Sequence, residues 1–424
     1  MIFSRGLGYS VLNGGVILVR AISAVIVNKL VVLFLGPSGL LFLGNLKNIY
    51  TILQQICGAG VYEGIVKYTS GEYRNRVSQV LQAGFSLMII GLVIAALLFG
   101  FFSSYIFELL NLTQDESSLK IWLSLGVALS LICSVFHNLL QSFFHGKMEY
   151  KMVVLTSAIS VMLTLILSVL LIYFFGKKGV VASVLLPSIL SFLSYLFFTK
   201  STSQFLKIFK KSTFDIIMIN PLISYTLMSV LAAIVFPSVL LFIRFFLTIN
   251  AGLEMTSYWE GYSKLSIFIS GLAISSISLY YLPKLSQTST SLEIRSVVLW
   301  GLKFILLIAV PSLVVLYFFG SRLIPLLYSD AFLSAFFLLK WELLGTALKL
   351  FSFAISFLMI AKKMTKTFVV SETFSGIFFL LLSLFLVKHI GVEGASMAYA
   401  GTYFVYSIWV LVYFNRKFKF FGKN

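Results

Sequence analysis

Gly44-Asn45-Leu46-Lys47 and Gly261-Tyr262-Ser263-Lys264 are the stretches that decide the fold, because the second repeats the first about half a chain later. Both lysines stand inside segments that are otherwise apolar enough to span a membrane. Further repeated positions are Lys67 and Lys284, Gly84 and Gly301, Lys147-Met148 and Lys363-Met364, and the runs from Gly179 to Ser183 and from Gly391 to Ser396. The 424-residue chain therefore predicts two copies of one bundle, an arrangement found in many secondary transporters, which handle their substrate between the halves.

The composition of the chain identifies lipid as the solvent for most of its surface. Hydrophobic residues make up 59% and charged residues 11%, against about 45–50% and about 25% in soluble domains. A segment of about 20 apolar residues crosses the hydrocarbon, and each must be a helix because lipid offers the backbone no hydrogen bonds. The twelve predicted spans lie near residues 11–34, 38–61, 77–104, 119–145, 152–175, 179–199, 217–247, 256–282, 297–319, 333–361, 367–387 and 393–414.

The number of spans and the charges of the loops predict the arrangement. With six spans per copy, both copies enter the membrane in the same orientation, as parallel repeats. We predict an all-α polytopic membrane protein with two six-helix bundles, residues 1–212 and 213–424, around a central cavity. Basic residues collect in the loops that face the cytoplasm when both termini are cytoplasmic. The net charge of +18 follows from this topology and from contact with anionic lipid headgroups, so nucleic acid is not an expected partner.

Charged residues inside the predicted spans mark a polar route. An unpaired charge at a helix centre costs about 2.5–3.5 kcal/mol on insertion scales, so such residues face a bundle interior or water. They fall mainly in the first helical hairpin of each copy, which predicts a cavity rimmed by cations. Arg20 and Lys29 lie on opposite helix faces, so only one of them can point squarely into this cavity. The charged residues are Arg20, Lys29, Lys47, Arg244, Glu260, Lys264, Lys340, Glu342 and Lys349.

These cations predict an anionic substrate, because arginine and lysine are the side chains that bind phosphate. A diphosphate on a lipid fits, since its tail can stay in the bilayer while the head group and its sugars enter the polar route. The predicted cavity residues are Arg20, Lys47, Arg244 and Lys264 for the diphosphate, with Tyr50, Gln54 and Trp259 beside them.

Some of these charges also allow a plainer interpretation. Glu260 and Lys264 are four residues apart and could neutralise each other. Glu342 and Lys349, two turns apart, form either an ion-pair cluster or a site that couples transport to an ion. His137 could carry protons, or it could hydrogen-bond a neighbouring helix. The candidates for ion coupling or gating are therefore Glu260, Glu342, Lys349 and His137.

The sequence predicts no other chemistry. It contains no metal-ligand constellation, no nucleophile with a base and an acid, and no glycine-rich phosphate loop after a strand. The short connections leave no room for a soluble domain between spans. We therefore expect no metal, no cofactor and no enzymatic activity.

Six motifs resemble one known family along essentially the whole chain. They are Gly36-Pro37-Ser38-Gly39-Leu40, the run from Gly58 through Lys67-Tyr68, Trp259 with Gly261, Tyr281-Leu282-Pro283 through Leu285-Ser286, Ile360-Ala361-Lys362, and Ala398-Tyr399 through Thr402-Tyr403. These motifs are similar to those of the Wzx-type lipid-linked oligosaccharide flippases, which include translocases for O-antigen and enterobacterial common antigen intermediates. That family belongs to the multidrug, oligosaccharidyl-lipid and polysaccharide exporter (MOP) superfamily.

The resemblance implies a V-shaped pair of six-helix bundles in the bacterial inner membrane. By alternating access, it would move undecaprenyl-diphosphate-linked repeat units from the cytoplasmic to the periplasmic leaflet, as an antiporter coupled to protons or sodium. The implied partners are a polysaccharide polymerase and a chain-length regulator, in the assembly of lipopolysaccharide or a similar surface polysaccharide. The resemblance assigns no ion site to Glu260, Glu342 or His137, because family members differ at titratable cavity positions.

Two rival functions predict different features. A cation-coupled multidrug exporter of the same superfamily should carry acidic residues that face cationic drugs, whereas the deep charges here are mostly basic. A membrane enzyme, such as the repeat-unit polymerase or a polyprenyl-phosphate glycosyltransferase, needs a reactive constellation or a sizeable outer loop. The longest outer connector, residues 105–118, is too small for that, so the flippase is the preferred interpretation.

Overall fold

A computed structural model of the chain describes residues 2–70, 76–198, 203, 205–207, 209, 218–288, 290–362 and 364–418. Within those ranges the chain is helical and contains no strand. The α-helices are α1 Ile2–Gln54, α2 Gly60–Ser70, α3 Val77–Phe101, α4 Ser103–Leu109, α5 Ser117–Gly146, α6 Tyr150–Phe175, α7 Lys177–Leu196, α8 Ile219–Gln287, α9 Ser291–Leu327, α10 Leu339–Ala361, α11 Thr365–Ile390 and α12 Glu393–Phe418. A π-helical stretch, Gln55–Ala59, joins α1 to α2, and short 3-10 helices cover Gln114–Glu116 and Asp330–Leu338.

Long apolar helices account for most of the described chain. Ten of its helical stretches are long and apolar enough to cross a membrane. Two of the ten are interrupted in the middle, at Gly36 in α1 and at Gly252 in α8, so that each contains two helices. Each of these two stretches therefore holds two of the twelve predicted spans, and the predicted all-α polytopic fold class is confirmed.

Both interruptions use glycine in a left-handed conformation. Gly36 has a φ of 72° and Gly252 has a φ of 84°, which residues with a Cβ rarely adopt. Pro37 follows the first interruption, where it removes one helical N–H. Gly36 stands eleven positions before Lys47, and Gly252 stands twelve positions before Lys264. The duplicated sequence therefore repeats a break in the backbone to within one residue, as well as the helices on either side.

The repeat also extends to the glycines that end α6 and α11. Gly176 donates its N–H to the Ile172 carbonyl at 3.0 Å, and Gly391 donates to the Val387 carbonyl at 2.9 Å. Both glycines have positive φ, 53° and 68°, and each directly follows the helix that it ends. The alignment of Gly179 with Gly391 expected from the sequence is therefore wrong, because Gly176 is the structural counterpart of Gly391.

Close backbone packing supports the corrected register. A Cβ on Gly179 would overlap the backbone of Leu171, and a Cβ on Gly394 would overlap the backbone of Leu386. Gly179 stands three positions after Gly176, and Gly394 stands three positions after Gly391. Both copies thus bring two successive helices together at a glycine that no larger residue can replace without a shift of the backbone.

The described chain divides into two compact units. The first comprises residues 1–35 and 42–238, and the second comprises residues 36–41 and 239–424. The boundary predicted between residues 212 and 213 lies outside the described residues, and the central cavity between the bundles stays a prediction.

Each unit has an ion pair between the beginnings of two helices, with the charges exchanged. In the first unit, Lys177 Nζ at the start of α7 lies 2.7 Å from Glu116 Oε1, just before α5. In the second, Lys340 Nζ in the first turn of α10 lies 3.0 Å from Glu393 Oε1 at the start of α12. Such partly exposed pairs contribute only about 0–1 kcal/mol. These pairs orient helix ends. Lys340 is therefore paired with Glu393 at a helix end, and not with the nearby Glu342.

Candidate functional site

In the first unit, the predicted cavity residues Lys47, Tyr50 and Gln54 of α1 lead from an exposed lysine to a buried serine. Lys47 is exposed, whereas Tyr50, three residues further on, is buried. The Tyr50 hydroxyl lies 2.6 Å from Ser188 Oγ of α7, and Gln54 Nε2 donates to the same oxygen at 3.1 Å. The structure therefore joins Tyr50 and Gln54 through Ser188, which the sequence did not single out.

The other titratable residues predicted in the first unit lie on α1 and α5, and Arg20 is within electrostatic range of His137. Arg20 is exposed and Lys29 is partly buried on α1. His137 of α5 lies against the Ser191 carbonyl of α7, and its ring centre is 5.8 Å from that of Tyr195. His137 Nδ1 is buried and forms no hydrogen bond with the described residues. His137 is thus packed between helices of its own unit, and its coupling role stays a prediction.

In the second unit, Arg244 and Glu260 form a buried ion pair. Arg244 Nε and Nη2 both lie 2.7 Å from Glu260 Oε2, and the two side chains are only 3% and 1% exposed. The residues stand eight positions before and eight positions after Gly252. The break at that glycine brings together two charges that the sequence places in separate spans.

Lys264 completes this cluster. Its Nζ lies 3.5 Å from Glu260 Oε1 and donates to the Leu40 carbonyl at 3.3 Å. Two cations share one carboxylate, so the cluster carries one excess positive charge. Arg244 is the better buried cation and makes the shorter contact with the carboxylate, whereas the Lys264 side chain is 14% exposed. Lys264 is therefore the more accessible of the two cations.

The first unit does not repeat the Arg244–Glu260 pair. In the register that aligns Lys47 with Lys264, the corresponding positions of the first copy hold Val27 and Leu43, which cannot form an ion pair. Of the three charged residues in the cluster, Lys264 alone has a cationic counterpart there. The duplication thus preserves the lysines and not the buried pair.

Trp259 lies next to the ion pair on α8 and is packed inside the second unit. It is 1% exposed, and its Nε1 has no acceptor among the described residues. Close packing continues at Gly261, where an added Cβ would lie 2.5 Å from Phe332 Cε1. The Tyr328 hydroxyl donates to the Gly261 carbonyl at 2.9 Å. These contacts fix the segment of α8 that carries both Glu260 and Lys264.

A second buried cluster in the same unit centres on Glu342 of α10. Ser266 Oγ of α8 donates to Glu342 Oε2 at 2.7 Å, and Ser396 Oγ of α12 donates to Oε1 at 2.8 Å. Lys349, two turns along α10, has its Nζ 5.5 Å from the ring centre of Tyr403. The ammonium of Lys349 is within electrostatic range of Glu342. The structure therefore brings together the two residues that the sequence paired here.

Glu372 of α11 belongs to this cluster, although the sequence interpretation passed over it. It interacts electrostatically with Lys349 and accepts a hydrogen bond from the Tyr406 hydroxyl at 3.3 Å. The sequence feature that indicates Glu372 is that it is the one carboxylate in the predicted span 367–387. Its position near the beginning of that span made it resemble an interfacial residue.

Sequence comparison relates the chain to lipid flippases. No protein-family model matches it. The lipid III flippase of Escherichia coli (strain K12) is 25% identical over 398 residues, which cover 92% of this chain and 93% of that protein. The lipid III flippase of Shigella flexneri is similar to the same extent.

Solved structures agree on the fold. An inward-facing multidrug resistance transporter of the MATE family, in the MOP superfamily, superposes with a TM-score of 0.78 at 14% identity and covers 94% of each chain. The lipid II flippase MurJ, in an inward closed conformation, gives a TM-score of 0.73 at 17% identity, covering 97% of this chain and 89% of that chain. The chain therefore has the fold of the MOP superfamily transporters.

Proposed function

We propose that the chain is a flippase for undecaprenyl-diphosphate-linked oligosaccharide repeat units of O-antigen or a similar surface polysaccharide. It moves them by alternating access from the cytoplasmic to the periplasmic leaflet of the bacterial inner membrane, with both termini in the cytoplasm. The observation that carries the proposal is that two cations, Arg244 and the partly exposed Lys264, share the single carboxylate of Glu260 in an apolar bundle. The lipid III flippases that resemble almost the whole chain support the same substrate class.

The diphosphate is the part of the substrate that these charges can select. A lysine is a compact point charge with three donors, and it binds phosphate oxygens without a fixed geometry. In this proposal, Lys264 and its counterpart Lys47 contact the diphosphate. Arg244 reaches it only if its bond to Glu260 opens, whereas Arg20 is an exposed cation further along α1.

The remaining predicted residues receive supporting roles. Gln54 borders the polar route, whereas the buried Tyr50 and Trp259 contact the sugars or the diphosphate only if the packing around them opens. Transport is coupled to a proton or sodium through Glu342 and Lys349, with Glu260 and His137 as the other candidates for coupling or gating. The carrier performs no bond chemistry itself, and it supplies the substrate of a polysaccharide polymerase that works with a chain-length regulator.

A multidrug exporter is the second candidate function, because the MATE transporter shares the fold with a TM-score of 0.78. A cationic drug would need carboxylates that are accessible and not already paired. Glu260 is bonded to Arg244, and Glu342 accepts two serine hydroxyls. Efflux of cationic dyes from a susceptible host would favour this alternative.

Neutralising Lys47 and Lys264 together is expected to abolish surface polysaccharide in a host that depends on this flippase. Charge-assisted hydrogen bonds contribute about 1.5–3 kcal/mol each, so the loss of two should weaken head-group binding about 100-fold or more. The measurement is glycan output from K47Q/K264Q cells, alongside the amount of inserted protein.

The matched control is K120Q/K303Q, which removes the same charge from two lysines that are not among the predicted cavity residues. This control should produce wild-type glycan levels. Normal output from a well-inserted K47Q/K264Q protein would contradict the flippase proposal, whereas loss of output in both double variants would indicate a general effect of charge.

A further inference from the structure

The segment that connects α7 to α8 is packed on the first unit by two phenylalanines. The described residues of this connector, all helical, are 203, 205–207 and 209. The Phe205 side chain is 6% exposed, and its ring centre lies 5.3 Å from that of Phe143 in α5. The Phe209 ring centre lies 5.6 Å from that of Phe205 and 5.5 Å from that of Phe85 in α3. These phenylalanines therefore face protein and not lipid.

A polar contact fixes the same segment. Gln82 Nε2 of α3 donates to the Phe209 carbonyl at 3.0 Å. Gln82 stands three positions before Phe85, so the two lie on one face of α3. The connector is thus held through its backbone and through an aromatic ring by neighbouring positions of one helix. Its place relative to α3 and α5 is defined within the first unit, to which it belongs.

The contacts of the connector lie near the ends of apolar helices. Gln82 is five positions after the first residue of α3, and Phe143 is three positions before the last residue of α5. Both helices are long and apolar enough to cross a membrane, and so is α7, which leads into the connector. The ends of such helices lie at the level of the lipid head groups. The connector therefore lies at that level too.

The side of the connector away from the phenylalanines is basic. Lys207 stands two positions from both Phe205 and Phe209, which places it on the opposite side of a helix, and its side chain is exposed. Lys147, at the end of α5, is also exposed, and its Nζ lies 4.6 Å from the ring centre of Phe143. One phenylalanine thus contacts both the connector and Lys147, which brings the two lysines to the same part of the surface.

The sequence around these two lysines keeps the charge positive. Residues 199–214 contain four lysines and no acidic residue, and the loop after α5 holds Lys147 and Lys151 with one carboxylate, Glu149. Leu206, beside Lys207, is 47% exposed. The surface therefore combines an excess of cations with an exposed apolar side chain.

An anionic phospholipid fits this combination of charge and depth. The negative surface of the cytoplasmic leaflet attracts basic segments that lie within a Debye length of it. Lysine binds phosphate as a point charge, without a fixed geometry. An apolar side chain next to such cations can enter the boundary between head groups and acyl chains. A soluble anion would match the charges but would make no use of Leu206.

We propose that the connector is a docking surface for anionic phospholipid head groups, with Lys147 and Lys207 as the contacts of the lipid phosphate. Phe205 and Phe209 hold the segment on the first unit, so that its lysines stay turned toward the head groups. The bound lipid is a component of the membrane and not cargo. The inference therefore does not rest on the proposed flippase function.

Fluorescence quenching of the full chain in lipid nanodiscs tests this surface. Ser203 is exposed in the connector, and S203C in a C57A/C133A chain offers a single thiol for a fluorescent label. The quencher is phosphatidylglycerol or phosphatidylcholine that carries a spin label near its head group. At equal content, we expect phosphatidylglycerol to quench more strongly than phosphatidylcholine. Added salt should narrow the difference, because it screens exposed charges.

Matched variants locate the effect. Each lysine near an anionic surface favours binding about fivefold, so K147Q/K207Q should lower the preference for phosphatidylglycerol about tenfold or more. K147R/K207R keeps both charges and should keep the preference. K366Q/K417Q removes two exposed lysines from helix ends of the second unit, and the preference should remain at the wild-type level.

Equal quenching by the two lipids in the wild type, or a preference that survives in K147Q/K207Q, would overturn the docking surface. An equal loss in K366Q/K417Q would overturn it as well, because any positive charge would then suffice. If inorganic diphosphate at constant ionic strength abolished the preference, the lysines would belong to a soluble anion and not to a lipid. None of these measurements uses transport, so each outcome leaves the flippase proposal to its own test.

Discussion

Replacing Glu260 with glutamine is expected to lower the free energy of unfolding by about 3–5 kcal/mol, because the change leaves a buried charge without its partner. Arg244 Nε and Nη2 both contact one Glu260 oxygen, and the side chains are 3% and 1% exposed. Glutamine has a similar shape but no charge, so the guanidinium would lose its counter-ion. The measurement is thermal unfolding of the purified chain in detergent, followed by tryptophan fluorescence.

The double variant R244M/E260M should recover most of the lost stability. Replacing both partners of a buried pair with apolar residues of similar volume is often neutral or stabilising. E393Q is the matched control, because it removes a carboxylate from a partly exposed ion pair in the same unit and should cost only about 0–1 kcal/mol. An E260Q protein as stable as E393Q would contradict the buried pair.

The same double variant separates the two roles of Arg244. If Arg244 serves mainly to hold Glu260, a stable R244M/E260M protein that retains Lys264 should still export glycan. If Arg244 contacts the diphosphate, that protein should be stable and inactive. Stability and transport therefore report on different contacts of one residue.

Much of the fold could be predicted from the sequence, because membrane-spanning helices are recognisable by length and apolar composition. The repeated lysines located the two copies, and the left-handed glycines at positions 36 and 252 lie at the joins between predicted spans. Fine register was harder to predict. The runs that begin at Gly179 and Gly391 look alike in sequence, whereas the helix ends align Gly176 with Gly391.

The sequence predicts which residues belong to the candidate site, but it does not predict which of them contact each other. A charge inside an apolar span was recognisable in the sequence, and Arg244, Glu260 and Lys264 were all identified in that way. Their pairing depends on the break at Gly252, which turns residues sixteen positions apart toward each other. Sequence spacing favoured the Glu260–Lys264 pair because residues four apart share a helix face. It contained no information about a contact across a backbone break.

Serine contacts were beyond the reach of the sequence for a related reason. Ser188, Ser266 and Ser396 each bind a predicted site residue, yet serine is common in membrane helices and usually bonds its own helix. Only the packing of one helix on another distinguishes these three from the rest. Glu372 is a carboxylate within a predicted span, but it stands near the beginning of that span. The sequence therefore favours a position at the membrane interface and does not indicate its buried contacts.

Replacing Gly91 with alanine is expected to destabilise the first unit, although alanine favours helices. Gly91 lies in the middle of α3, and an added Cβ would overlap the carbonyl oxygen of Ile56. That carbonyl belongs to the π-helical stretch Gln55–Ala59, which bends at Gly58 with a φ of 123°. Because the obstacle is backbone, the clash cannot be relieved by a change of rotamer, and forced packing of this kind costs about 1–3 kcal/mol.

Gly100 provides the matched control on the same helix. A Cβ there would meet nothing within 4 Å, so G100A should gain up to about 1 kcal/mol from helix propensity alone. The two variants differ by the same methyl group and should therefore shift the melting temperature in opposite directions. If G91A melted as late as G100A, α3 would not pack on the π-helical stretch as closely as described.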